Sequence, residues 1–301
     1  MLVIVAHSDD EVLGAGAQFA SFGALSFIHV TNGAGNIREA RAKGFGTLRA
    51  YGRARSRELR AAVAAAGLRA DFHELGYRAL DAGFHMATLT RRLRTMIVRL
   101  APNLVLTQAY EGGHPDHDAV AFAVHHAVRG LTKPPPVWEM TAYHRANGTT
   151  VRGSFLPFDG PPIVRAPLDT AARALKRRML DCFTSQLDVV AQFPLDEEDF
   201  RPPPNYDFTR PAHGRPLGYE LEGWGMKWEL WQALARAARQ RLRGGWRDLP
   251  GNLWLALKLR WAMWSRHAHP DHPRIVRGMQ SVRLLSDLGV QQAGGSDSDP
   301  A

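Results

Sequence analysis

Over residues 1–145, short apolar runs take turns with longer stretches of helical periodicity, the pattern of βαβ units around a mostly parallel sheet. Strands are expected at 2–6, 25–31, 71–75, 103–107 and 137–143. The first, Leu2-Val3-Ile4-Val5, is apolar on both faces, as a strand covered by helices on both sides must be. Helices are expected at 10–22, 55–66, 87–100 and 117–129; the third carries Leu89, Leu93, Met96, Ile97 and Leu100 at three-four spacing. Right-handed crossovers would place these helices on the two faces of the sheet.

The pattern then loosens. Residues 146–168 are rich in Gly and Pro, and Leu175 to Phe183 reads as a helix with Lys176, Arg177 and Arg178 turned outward. Residues 194–222, with many Pro and acidic residues, read as a long ordered loop and a candidate lid. Trp224 to Leu242 is helical again. In Trp246 to Arg266, Trp254, Trp261 and Trp264 stand beside Lys258, Arg260 and Arg266, which suits either a helix lying at a membrane surface or an ordinary packed helix. The expectation is an α/β, Rossmann-like, mostly parallel sheet flanked by helices over residues 1–241, a basic Trp-rich helical extension over 242–292, and a disordered tail over 293–301.

Composition narrows the chemistry. The single cysteine, Cys182, excludes an internal disulfide and a thiolate metal cage; set between Leu180 and Phe183, it reads as a small core residue. Imidazole and carboxylate are left as metal ligands. The formal charge of +9 favours anionic partners in general without choosing among phosphorylated substrates, nucleic acid and acidic lipid, and no specific nucleic-acid partner is expected. No signal-like segment precedes Leu2 and no run of eighteen apolar residues occurs, so a cytoplasmic location is expected, with peripheral membrane contact through 246–266 if that helix lies on a bilayer. Arg38, Arg41, Lys43, Arg49, Arg53, Arg55, Arg57 and Arg60 crowd the segment after the second strand, as a basic rim for a phosphate-bearing substrate or as a solvated helix face.

Two acidic-histidine clusters then stand out: Ala6-His7-Ser8-Asp9-Asp10-Glu11 after the first strand, and Gly112-Gly113-His114-Pro115-Asp116-His117-Asp118 after the fourth. Each alone is explained by helix-start chemistry, since acidic residues complement the dipole and Pro-Asp is a common cap. Both at strand ends of one parallel sheet would meet outside the carboxyl edge. His7, Asp10 and His117 then offer two nitrogens and one oxygen with a further position open, the composition of a catalytic zinc site. Asp9 is the natural general base, while His114 would face an oxyanion or protonate a leaving amine, with Asp116 fixing its tautomer. Gly14-Ala15-Gly16 is not read as a nucleotide site, because Asp9, Asp10 and Glu11 would repel a pyrophosphate. His269-Pro270-Asp271-His272 follows a helix without a partner cluster and reads as a turn.

The two motifs resemble those of the PIG-L/LmbE family of zinc-dependent N-deacetylases, with Ser8 where the family usually has proline. The resemblance implies removal of an acetyl group from an N-acetylglucosamine-type sugar or glycolipid precursor. It implies Zn²⁺ on His7, Asp10 and His117, Asp9 as base and His114 as the electrostatic or acid histidine. It further implies an Arg-x-x-Glu pair at Arg55 and Glu58, with Arg55 as a substrate contact. Two other readings stay open: a metal-dependent hydrolase of another amide or an ester, and a non-catalytic module that binds anionic partners.

Overall fold

The computed structural model describes residues 1–244 apart from 159 and 161. The expectations for 246–266, the rest of the 242–292 extension, the turn at 269–272 and the tail lie outside the described residues. In chain order the elements are β1 (Leu2–Val5), α1 (Asp10–Ala15), β2 (Leu25–Thr31), α2 (Ile37–Ala42), α3 (Leu48–Ala65), β3 (Ala70–Tyr77), α4 (Met86–Leu100), β4 (Val105–Gln108) and α5 (Pro115–Arg129). There follow β5 (Val137–Met140), β6 (Tyr143–Ala146), β7 (Thr149–Arg152), β8 (Val164–Pro167), α6 (Thr170–Leu180), α7 (Leu187–Val190), β9 (Glu197–Arg201), α8 (Gly218–Leu221) and α9 (Trp228–Leu242).

The main sheet runs β3-β2-β1-β4-β5-β9-β8, parallel from β3 to β5 and antiparallel at the β5–β9 and β9–β8 joints. Alternate side chains of β1 feed two cores. Leu2 and Ile4 pack with Leu89, Leu93, Ile97 and Phe122 on one face, Val3 and Val5 with Leu59, Val63, Met179 and Phe183 on the other. Each fully buried aliphatic side chain contributes about 1.5–3 kcal/mol, so this four-residue strand alone anchors both layers. Helix starts follow their caps: Thr47 accepts from the Ala50 N–H and Asp169 from the Ala172 N–H.

Several expectations need correcting. The helix expected from Trp224 begins at Trp228, and the strand expected at 137–143 ends at Met140. The helix expected at 10–22 is α-helical to Ala15 and 3₁₀ from Gly16 to Phe22. Close packing dictates its small residues, because a Cβ on Gly14 would stand 2.7 Å from the Met140 Sδ. Within the loop expected at 194–222, Glu197–Arg201 is an internal strand of the sheet. Its sequence, Glu-Glu-Asp-Phe-Arg, hides this because its charges are matched at a distance: Glu198 meets Lys176 at 2.8 Å and Arg201 meets Glu139 at 3.2 Å. Lys176 is accordingly buried rather than turned outward, and donates to the Leu13 carbonyl at 2.7 Å. Cys182 is half-buried at the edge of the second core rather than inside it. No helix among the described residues is long and apolar enough to cross a membrane.

Candidate metal centre

Strand order reverses between β1 and β4, so their carboxyl ends open a crevice where crossovers leave in opposite directions. The residues after β1 and the residues before α5 line it, joined by the Ala6 N–H, which donates to the Gln108 side-chain oxygen at 2.9 Å. The turn after β1 is tight: the His7 N–H donates to Asp10 Oδ2 at 2.8 Å, and Asp9 takes φ 156°, ψ −31° as the residue before α1. Glu11, fully buried, ties this turn down by accepting from the Asp9 N–H at 3.3 Å and pairing with His29 at 3.2 Å.

Donor atoms of three residues from the two clusters converge, with the Asp10 carboxylate turning one oxygen to each imidazole. His7 Nδ1 to Asp10 Oδ2, His117 Nε2 to Asp10 Oδ1, and His117 Nε2 to His7 Nδ1 are each 3.3 Å. Ligands about 2.0–2.1 Å from one tetrahedral ion are separated by about 3.3–3.4 Å, so the donor set fits a zinc-sized cation. The nitrogens of His7, His114 and His117 also lie within 4.8 Å of one another, which makes His114 a neighbour of the same centre. Burial opposes a charge on His7, but Asp10 and then Asp116 outweigh it and raise this imidazole to about 10. Burial likewise opposes the Asp10 carboxylate, and His117 and His7 overcome it, holding Asp10 well below the usual range.

Asp116 is placed differently from the sequence expectation. Its Oδ2 lies 3.1 Å from His7 Nε2 and accepts from the Leu80 N–H, while Oδ1 accepts from the Ala82 N–H at 3.1 Å. With His7 Nδ1 turned to the centre, the Nε2–H points at this carboxylate, the arrangement that fixes a metal-binding imidazole. His114 has another partner: it caps α5, its Nδ1 accepting from the Asp116 N–H at 3.0 Å, so the backbone sets its tautomer and leaves the proton on Nε2. Burial and the neighbouring His7 and His117 push the His114 pKa well below its ordinary value, which keeps it neutral.

Asp9 lies against Arg55. The guanidinium donates to Asp9 Oδ2 at 2.7 Å, to the Gly33 carbonyl at 2.8 Å and to the Ser8 carbonyl at 3.3 Å. Burial raises the Asp9 carboxyl to about 7 against the pull of Arg55. Arg55, expected to contact substrate, is buried and divides these donors between the turn that carries Asp9 and the Gly33 carbonyl after β2. Arg38, Arg41, Arg49, Arg53, Arg57 and Arg60 are exposed, as on a solvated helix face. Glu58, one turn along α3, accepts from the Ser185 N–H and from the hydroxyls of Thr184 and Ser185, each at 2.7–2.8 Å.

Two residues at the centre carry no sequence signal that marked them. The Tyr143 ring packs edge-on against His117, with centroids 5.2 Å apart, and burial followed by the Asp10, Asp9 and Asp116 charges raises its phenol well above 10. It therefore stays an O–H donor. The Trp224 ring lies 4.6 Å from that of His114. A Gly-Trp-Gly tripeptide is the only trace it leaves in the sequence.

A largely parallel α/β sheet thus carries, at its switch point, a buried imidazole-carboxylate cluster that could hold a metal ion. The likeness to the PIG-L/LmbE family extends beyond the two motifs, since residues 2–128 match the family model of PIG-L, GlcNAc-PI de-N-acetylase. Comparison of the sequence with curated proteins gives no match. Among solved structures, the A40926 pseudoaglycone deacetylase Dbv21 is 22% identical with a TM-score of 0.52, over 67% of this chain and 95% of that one. The deacetylase crystallised with teicoplanin, from the teicoplanin biosynthesis pathway, is 20% identical with a TM-score of 0.53, over 68% of this chain and 99% of that one. At these identities the shared property is the fold.

Proposed function

We propose that this chain is a zinc-dependent N-deacetylase that hydrolyses the acetamide of an N-acetylglucosamine-type sugar or glycolipid headgroup in the cytoplasm, releasing acetate. The observation that carries the reading is the set of 3.3 Å approaches among His7, Asp10 and His117, with Asp9 beside them. Zinc held by these residues would polarise the acetamide carbonyl and acidify a water towards neutral pH.

The chain's own groups do the rest. Asp9, held by Arg55 and raised to about 7, takes a proton from the attacking water and returns it to the sugar nitrogen as the C–N bond breaks. The water oxygen ends in acetate, and the nitrogen leaves as the free amine. Neutral His114 presents its Nε2–H to the oxygen that gains charge in the tetrahedral state. Asp116 aims His7, and Arg55 acts through Asp9 as a positioning residue.

The test is acetate release by full-length protein over a panel of N-acetylated glycosides, with and without chelator. Activity should vanish on chelation and return with zinc. Asp9→Ala should lower kcat by about 10²–10⁴ with the fold kept. Full activity in Asp9→Ala removes the base, and chelator-resistant turnover removes the metal.

A further inference from the structure

Trp224 stands against the centre without a part in the bond-breaking steps. Trp228 and Trp231 are buried in the core, at 7% and 0% exposure, whereas Trp224 packs against the edge of that core, half-covered and flanked by Gly223 and Gly225 at φ 67° and 82°. Two left-handed residues side by side with the indole put it at the apex of a sharp bend that L side chains rarely permit. The imidazole of His114, 4.6 Å away, lies on one side, while Leu221, Glu222 and Gly223 before it are exposed.

The bend belongs to a loop closed at its neck. The Glu220 carboxylate accepts from the Leu217 N–H at 2.9 Å where the loop begins and from the Trp228 N–H at 3.3 Å where it ends. Arg215 pairs with the same carboxylate at 2.6 Å; burial opposes the charge, and Arg215 together with the Leu217 and Trp228 N–H groups overcomes it and lowers the Glu220 pKa. The base of the loop rests on the second motif, where the Gly218 N–H donates to the Gly112 carbonyl at 2.8 Å. A Cβ at Gly218 would come within 2.7 Å of the Gly113 carbonyl oxygen. The indole is thus held relative to His114 by backbone contacts, not by a free-swinging strand of chain.

We propose that Trp224 is the specificity-determining residue of this site: its indole stacks on the apolar C–H face of the substrate's pyranose ring and holds the ring so that the acetamide reaches the centre below. A sugar ring with equatorial hydroxyls leaves its axial C–H bonds on flat faces, and a rigid aromatic plane covers such a face at little entropic cost. The proposal rests on the deacetylase reading, and it adds what makes the enzyme prefer a ring over any other acetamide.

The experiment compares zinc-loaded full-length protein with Trp224→Ala, Trp224→Leu and Trp224→Phe on methyl N-acetyl-β-glucosaminide and on N-acetylethanolamine, a ring-free acetamide. The ratio of kcat/KM for the glycoside to that for the ring-free amide should fall about tenfold in the Ala and Leu variants, chiefly through KM, and return in Phe. Saturation-transfer NMR on the methyl glycoside reads binding apart from turnover, and should lose transfer to the sugar C–H protons in Ala and Leu but keep it in Phe. An equal loss on both substrates would mean that Trp224 merely covers His114, and it would overturn the proposal, as would unchanged transfer in the Ala variant. No acetate from either substrate, with the NMR pattern intact, sinks the deacetylase reading and leaves the platform standing.

Discussion

Replacing Asp116 with Asn is the sharpest probe of the centre, because both oxygens of this carboxylate face donors. Oδ2 faces His7 Nε2 and the Leu80 N–H, and Oδ1 faces the Ala82 N–H. An amide turned one way sets its NH₂ against two donors, and turned the other way it sets it against one. The milder orientation still strands the Ala82 N–H, which costs about 1–3 kcal/mol of stability. His7 also loses an anionic partner, and removal of a carboxylate behind a metal-binding imidazole typically weakens the metal about 10–100-fold, or about 1.4–2.7 kcal/mol. The assay is competition for zinc against a fluorescent chelator at fixed pH, alongside urea unfolding of the metal-free protein. If Asp116 instead served His114, zinc affinity would stay within about twofold of wild type, and that outcome would refute the assignment.

Two further substitutions probe the frame. Lys176→Met strands the Glu198 carboxylate, which is buried and loses its 2.8 Å partner, and should cost about 3–5 kcal/mol in urea unfolding; adding Glu198→Gln should recover much of it, and strict additivity of the two changes would contradict a coupled pair. Gly113→Ala sets a Cβ 2.0 Å from the Tyr143 carbonyl oxygen, a backbone clash that no rotamer relieves; it should lower stability by about 1–3 kcal/mol and turnover with it, and an unchanged melting temperature would argue against so close an approach.

Much of the frame was legible in the sequence for a simple reason: a strand or helix facing a core on known sides repeats at a known period. β1, β2 and α4 lie where their apolar positions put them. β9 does not advertise itself, since its Glu198 and Arg201 are matched by Lys176 and Glu139, and local pattern cannot see partners 22 or 62 positions away. Lys176 misleads for the same reason, reading as surface while serving as the counter-ion of an interior acid. At the site, the alternation predicts that both clusters lie at the carboxyl edge of a parallel sheet, and the adjacency of β1 and β4, which it does not predict, brings them together. The partner of Asp116 does not, because it depends on the path of the backbone through Leu80 and Ala82, two residues with no chemical signal of their own. Trp224 reaches His114 by a similar non-local route, through a loop whose neck is tied by Glu220.

The hydrogen bonds of Asp116 also order events in time. His7 leaves the ribosome more than a hundred residues ahead of Asp116 and His117, and the amides of Leu80 and Ala82 must be in place before that carboxylate can settle. The pairing of β1 with β4 is what brings the two ends of that long segment together, so the donors that would grip an ion are set side by side by the sheet. An ion proposed for this site would therefore meet donors already preassembled by strand pairing, and its choice would be governed by their fixed spacing.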